Sequence, residues 1–135
     1  MPGIIGQGVT LRGLRSEDFT YTFNLTGTGG NPIPVGSPMM LDAAADNSAK
    51  AVTDGATLIG ALMSFENRIS EGIIVGAIAR KGNFVFDYTG TAPTRGHGVV
   101  GSATANKVKS AGAAIVNNMV VEVDTTKQQV TVIFD

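Results

Sequence analysis

The sequence predicts a small all-β domain, and three observations lead to that prediction. Val, Ile and Thr together make up 38 of the 135 residues, whereas Leu occurs only six times. These β-branched side chains are stiff at χ1 and favour a pleated strand over a helix. In addition, 18 glycines and five prolines divide the chain into short runs separated by turns. We expect a single-domain β-barrel or β-tulip-like fold over residues 9–135, with at most one or two short helices.

Composition excludes several classes of function. The chain has 10 Lys and Arg against 11 Asp and Glu, so it lacks the basic footprint of a nucleic-acid-binding protein. The absence of cysteine excludes disulfides, cysteine-ligated zinc and a thiol nucleophile. The apolar run 73–79 is far shorter than the roughly 20 residues of a membrane helix. We therefore expect neither a nucleic-acid partner nor a membrane partner.

Residues 1–8 form a candidate N-terminal arm, because they contain three Gly, one Pro and no periodicity. One interpretation is a frayed terminus. The other is that the adjacent Ile4 and Ile5 dock into a partner, since exposed neighbouring isoleucines are otherwise a liability. The stretch from Val9 to Arg12 follows as a possible short first strand.

The next elements are predicted from alternation and from proline. Apolar side chains alternate with polar ones from Phe19 to Thr26, which predicts an amphipathic strand with its aromatic face inward. Prolines precede the apolar run 39–41, which indicates an edge segment, because proline cannot donate to a ladder. Residues 42–50 are rich in Ala but interrupted by polar residues, and both two helical turns and a surface loop fit them.

Paired strands are predicted for the middle of the chain. The apolar runs 58–65 and 73–79 flank a charged connection, which indicates a long hairpin. A further strand is expected over 84–88, and the Ala- and Lys-rich segment 104–116 is a candidate short helix.

The C-terminal end is the clearest hairpin. Its strands are expected over 119–124 and 130–135, joined by the polar run 125–129. Val121 and Val123 are predicted to share one face and to oppose three apolar side chains of the last strand, Val130, Val132 and Phe134.

No segment predicts assembled catalytic chemistry. The run Gly96–Gly101 matches G-x-G-x-x-G, but it does not directly follow a strand and no βαβ pattern surrounds it, so we interpret it as a glycine-rich β-connection. The only histidine, His97, lacks a neighbouring motif that would orient it as a general base. Asp42, Asp46 and Asp54 are spaced too loosely for a calcium loop. We expect no enzyme activity, no cofactor and no metal site.

Four stretches together resemble a known family: 24–41, 52–60, 71–78 and 82–88, which are NLTGTGGNPIPVGSPMML, VTDGATLIG, EGIIVGAI and GNFVFDY. They are similar to the small decoration, or cement, proteins on the outside of tailed-bacteriophage heads. The resemblance implies a homotrimeric β-barrel or β-tulip protein that bridges neighbouring major capsid subunits. It also implies location on the outer surface of the virion after synthesis in the host cytoplasm.

The resemblance implies a function for the start of the chain, since family members often place an N-terminal arm on the capsid. The expected partner-binding residues are Ile4, Ile5, Val9 and Leu11. The alternative is a β-rich module that binds carbohydrate or a host surface, although such sites favour exposed aromatics and the chain has no Trp and only two Tyr. A small enzyme using His97 is the third hypothesis.

Overall fold

The computed structural model describes residues 20–28 and 31–134, which form strands joined by turns and one 3₁₀ turn. No α-helix occurs in these two ranges, and the predicted all-β class is confirmed. The strands are β1 (Thr20–Leu25), β2 (Pro38–Leu41), β3 (Ser48–Ala51), β4 (Gly60–Leu62), β5 (Glu66–Arg68), β6 (Ile73–Ala79), β7 (Gly82–Asp87), β8 (Val99–Gly101), β9 (Val108–Ser110), β10 (Asn118–Asp124) and β11 (Gln129–Phe134). The 3₁₀ turn is Ile69–Glu71.

Five of the first six strands close into a barrel. The order of all six is β1-β3-β2-β4-β6-β5, and an additional antiparallel pairing of β1 with β6 closes five of them into a ring. The strands β4 and β5 both pair with β6, so the predicted hairpin of the two apolar runs is confirmed, and the charged connection contributes a strand to it. The barrel contains a cluster of buried apolar side chains: Leu25, Ile33, Met39, Ala49, Leu62 and Ile78.

The remaining strands form a second layer. The strands β10, β11 and β7 make an antiparallel sheet, and β8 pairs with β9. A bridge between Tyr88 and Val108 connects β7 to β9, and backbone hydrogen bonds of Val120 to Gly96 and His97 connect β10 to the start of β8. The core of this layer consists of Val52, Leu58, Ala61, Phe86, Tyr88, Val99, Val108, Val120, Val130, Val132 and Phe134. Because the first three belong to β4 and to the loop before it, this core is shared with the barrel.

The C-terminal hairpin confirms its predicted strands and corrects one of its predicted faces. The register shifts between Val120 and Glu122, so Val121 is an extra residue in β10, as in a β-bulge. Val120 is consequently buried opposite Val132, whereas Val121 is 41% exposed. The prediction that Val121 faces the core is therefore wrong, because period-2 alternation does not account for an inserted residue.

Other local predictions are wrong for reasons of pairing. The segment 39–41 is not an edge, because β2 pairs with β3 on one side and β4 on the other. Pro38 is tolerated there as the first residue of the strand. The aromatic face of β1 is only partly inward, since Tyr21 is 54% exposed while Phe23 packs against the barrel core.

The open alternatives are also decided by the structure. Residues 42–47 form turns, as the loop interpretation predicts, but residues 48–50 belong to the strand β3, which neither interpretation predicted. Residues 104–116 contain turns and the strand β9, and the predicted short helix does not form. The predicted arm 1–8 and the possible strand at Val9–Arg12 lie outside the described residues.

Candidate interaction surfaces

The glycine motif Gly96–Gly101 allows two loops to pack closely against β8. It leads into the strand β8, not into a helix whose N-terminus would face a phosphate. A Cβ on Gly98 would meet the side chain of Ile115, and a Cβ on Gly101 would meet the carbonyl oxygen of Thr53. The glycines thus allow neighbouring loops to approach β8 closely.

His97 has a backbone role in the structure. Its carbonyl oxygen accepts from Val120 N at 2.8 Å, and its N–H donates to Thr94 O at 3.0 Å. Within residues 20–28 and 31–134 its imidazole has no side-chain hydrogen-bond partner, and no group of three or more His, Asp and Glu is placed to hold a metal ion. Among the described residues, therefore, His97 is not brought together with a carboxylate.

The carboxylates form local contacts. Thr26 Oγ1 donates to Asp42 Oδ2 at 2.6 Å, and Ala44 N donates to Asp42 Oδ1 at 3.0 Å. These hydrogen bonds, with that from Thr26 the larger cause, lower the pKa of Asp42 from its ordinary value. They tie the end of β1 to the turn after β2, which is a structural use of the carboxylate.

Two further sets of ion pairs are exposed. Arg68 Nε lies 3.4 Å from Glu66 and 3.3 Å from Glu71, as expected for a solvated loop tip. Lys109 Nζ lies 2.7 Å from Asp54 Oδ1 and connects β9 to the loop between β3 and β4. Pairs this exposed contribute little to stability.

The most distinctive surface is the outer sheet face, defined here as the side of the β10-β11-β7 sheet that points away from the core. Val85 is 56% exposed and Met119 46% exposed on this face, and the half-buried Ile133 of β11 is the cross-strand partner of Met119. A shallow hollow of about 60 Å³ near Met119 is lined partly by Ile115 and by Val116, which is 97% exposed. Apolar side chains that are exposed next to one another, as Met119 and Ile133 are here, mark interaction sites more often than scattered single ones do.

The other end of the outer sheet face is acidic. Strand register places Asp87, Gln129 and Asp124 in one row across the sheet, and the next row on this face holds Glu122, Thr131 and Val85. The face therefore changes from apolar to negatively charged along the strands.

A groove lies beside β7. It has a volume of about 340 Å³, and its walls are the loop Pro34–Ser37 and the β7 residues Val85–Asp87. Val35 is strongly exposed on the loop side, and Asn106 and Gln129 complete the lining. Grooves of this size fall in the range that holds small ligands or short peptide segments.

The structure describes only some of the residues that the sequence indicated as candidate binding residues. Ile4, Ile5, Val9 and Leu11 lie outside the described ranges. Tyr88 is only 3% exposed, which leaves Tyr21 as the exposed tyrosine for a carbohydrate site.

Sequence reasoning missed the outer sheet face. Val85 stands between two phenylalanines, so period-2 alternation was the available signal that Val85 and these phenylalanines lie on opposite faces of β7. In β10 the bulge hides the same signal.

In the part of the chain that the structure describes, no helix has the length and apolar character needed to cross a membrane. Comparison with protein-family models, with curated proteins and with solved structures returned no match.

Proposed function

We propose that the protein is a structural subunit of a phage virion. It binds the outer surface of an icosahedral head, and it stabilises the shell by bridging neighbouring major capsid subunits. The observation that carries the proposal is the outer sheet face, where Val85 and Met119 are each about half exposed. The resemblance of the chain to head decoration proteins supports it.

The energetics of such binding are those of many modest contacts. Covering one exposed Val or Met side chain contributes about 1–2 kcal/mol when its remaining accessible surface is buried. A single copy with a few such contacts binds weakly. Three copies joined as a homotrimer, on a shell that repeats the same site, bind more strongly because each later contact is intramolecular.

The arm is the second contact in this proposal. Ile4 and Ile5 insert into the shell, and Val9 and Leu11 extend the apolar contact towards the domain. Burial of these side chains against the capsid removes the cost of exposing adjacent isoleucines to water.

The test uses expanded heads purified without the protein. The full chain is expected to cosediment with the heads and to raise the temperature at which they release DNA. Deletion of residues 1–8 and, separately, Met119→Ser are each expected to weaken cosedimentation. The control is Leu41→Ser, which removes a similarly exposed apolar side chain from β2 of the barrel. Absence of cosedimentation by the full chain would overturn the proposal, and specific capture of a glycan by the full chain would favour the carbohydrate-binding alternative.

A further inference from the structure

Among the described residues, the strand β7 pairs with another strand on one side only, and that strand is β11. Just beyond β7, Tyr88 N donates to Gln128 O at 3.0 Å, which continues the register of the two strands. The even-numbered residues of β7 therefore bond to β11, because hydrogen-bonded positions alternate along an antiparallel pair. The N–H and C=O groups of the odd-numbered residues point to the other side, the open edge of β7: Asn83, Val85 and Asp87. No partner for these groups occurs within residues 20–28 and 31–134.

The open edge of β7 lacks the features that usually prevent strand addition. Residues 82–87, GNFVFD, contain no Pro and no Lys, and the pairing with β11 runs without a bulge. A regular edge with free backbone groups is the template to which an extended chain adds as a further strand.

The groove beside β7 lies on the same side as this edge. Thr89, which follows the odd-numbered pattern, donates from N to Val108 O at 2.9 Å, and Asn106 of the same segment lines the groove. The opposite wall is the loop Pro34–Ser37, and the groove has a volume of about 340 Å³. An opening bounded by a loop in this way suits a single extended segment better than the whole sheet of a second copy.

The side chains along the edge define the chemistry of the segment that fits it. Val85 is 56% exposed, and Asp87 is exposed two residues later on the same face. The three strands of the sheet carry no Lys or Arg but three carboxylates, those of Asp87, Glu122 and Asp124. Within the described ranges none of these carboxylates is in an ion pair. An apolar side chain opposite Val85 and a basic one opposite Asp87 would therefore match the edge in burial and in charge.

We propose that the open edge of β7 binds an extended peptide segment of a partner protein, which adds to the sheet as a further strand. The segment places an apolar side chain opposite Val85 and a Lys or Arg opposite Asp87. Hydrogen bonds to the odd-numbered residues of β7 supply affinity that does not depend on sequence, and the two side-chain pairs supply selectivity. This inference does not rest on capsid binding.

Amide hydrogen exchange of the full chain, with and without the capped peptide TRTVTRT, tests strand addition. The side-chain pattern of this peptide reads the same in both directions, so it can present Val to Val85 and Arg to Asp87 in either strand orientation. In the free chain the amides of Val85 and Asp87 are expected to exchange faster than those of Phe84 and Phe86, which bond to β11. Peptide at ten times its dissociation constant should slow the two odd-numbered amides about tenfold and leave the even-numbered ones unchanged. Slow exchange of the odd-numbered amides in the free chain would show that the edge is already paired, and would overturn the proposal.

Charge-matched variants test the position of the basic side chain. Asp87→Asn is expected to raise the dissociation constant of TRTVTRT about two- to fivefold at low ionic strength, as for other exposed ion pairs. The control is Asp46→Asn, which makes the same change of charge at an exposed turn position before β3 and should leave the dissociation constant unchanged. The peptide TETVTET should bind more weakly than TRTVTRT. Equal effects of the two variants, or equal binding of the two peptides, would overturn the proposal. Protection of the odd-numbered amides on raising the protein concentration alone would assign the edge to a second copy and would also overturn it.

Discussion

Asn118 offers a sharp test of how the second layer is held together. Its side chain is buried at the start of β10, where Oδ1 accepts from Val99 N at 2.8 Å and Nδ2 donates to Val99 O at 3.2 Å. The amide thereby takes the place that a neighbouring strand would occupy beside Val99 of β8. The same edge of β8 has partners on both sides of Val99. Two residues earlier, the carbonyl oxygen of His97 accepts from Val120 N, and two residues later the backbone of Gly101 bonds to the loop before β4.

The perturbation is Asn118→Leu, which keeps the approximate volume and removes both hydrogen bonds to Val99, together with the one that Nδ2 donates to Asn117 Oδ1 at 2.7 Å. Val99 is fully buried, so its N–H and C=O lose their partner without gaining water. Each buried group left without a partner costs about 1–3 kcal/mol, so the loss of both should lower the free energy of unfolding by about 2–6 kcal/mol. That is a large part of the 5–15 kcal/mol typical of a small domain.

The assay is equilibrium unfolding in urea. For a slope of about 2 kcal/mol/M, which is typical of small proteins in urea, the midpoint of Asn118→Leu should fall by about 1–3 M. The control is Asn83→Leu, the same substitution at an exposed position of β7, which should change stability by less than about 0.5 kcal/mol. If both variants unfold at the same urea concentration, the hydrogen bonds between the Asn118 amide and Val99 do not hold β8 and β10 together.

Three more predictions concern the barrel, the shared core and the glycine motif. The lowered pKa of Asp42 means that its stabilising contribution is fully present above its ordinary value of 3.8 and is lost as the pH falls through the lower folded-state value. Asp42→Asn or Thr26→Val should therefore flatten the acid end of a stability-versus-pH curve, and an unchanged curve would contradict this. Val132→Ala should lower the free energy of unfolding by about 1.5–3 kcal/mol, whereas Val116→Ala, on a side chain that is 97% exposed, should change it by less than about 0.5 kcal/mol. Gly101→Ala places a methyl group against a backbone carbonyl of the loop before β4, so thermal denaturation should show a clear loss of stability, and an unchanged melting temperature would refute the close approach.

Much of the fold could be predicted because it depends on local sequence patterns. Apolar and polar residues alternate in β1 and β11, where stiff β-branched side chains favour extended backbone. Gly and Pro mark the turns between strands, because glycine adopts backbone conformations that other residues avoid. Where both strands of a hairpin are close in sequence, as for β10 and β11, pairing could also be predicted, because the connecting turn brings them together.

The candidate surfaces could be predicted only in part. The sequence selected Ile4 and Ile5 from the rule that exposed adjacent isoleucines need a partner, and that selection stays a prediction. It did not select Met119 or Val85, because alternation shows that two faces of a strand differ but not which one the rest of the chain covers. Nor could the sequence predict that β7 lies at the edge of its three-stranded sheet, because an edge strand is defined by the neighbouring strand that it lacks among the described residues.

By itself, then, the sequence determined that this is an all-β protein of short strands, with a terminal hairpin and glycine-lined turns, because those properties depend on the conformational preferences of single residues. Only the tertiary structure decided that Pro38 begins an inner strand, that Val121 is a bulge, that Tyr88 is buried and that Asn118 completes the edge of β8. Each of these depends on a contact between segments distant in sequence, and the packing of those segments sets which groups are paired and which remain exposed.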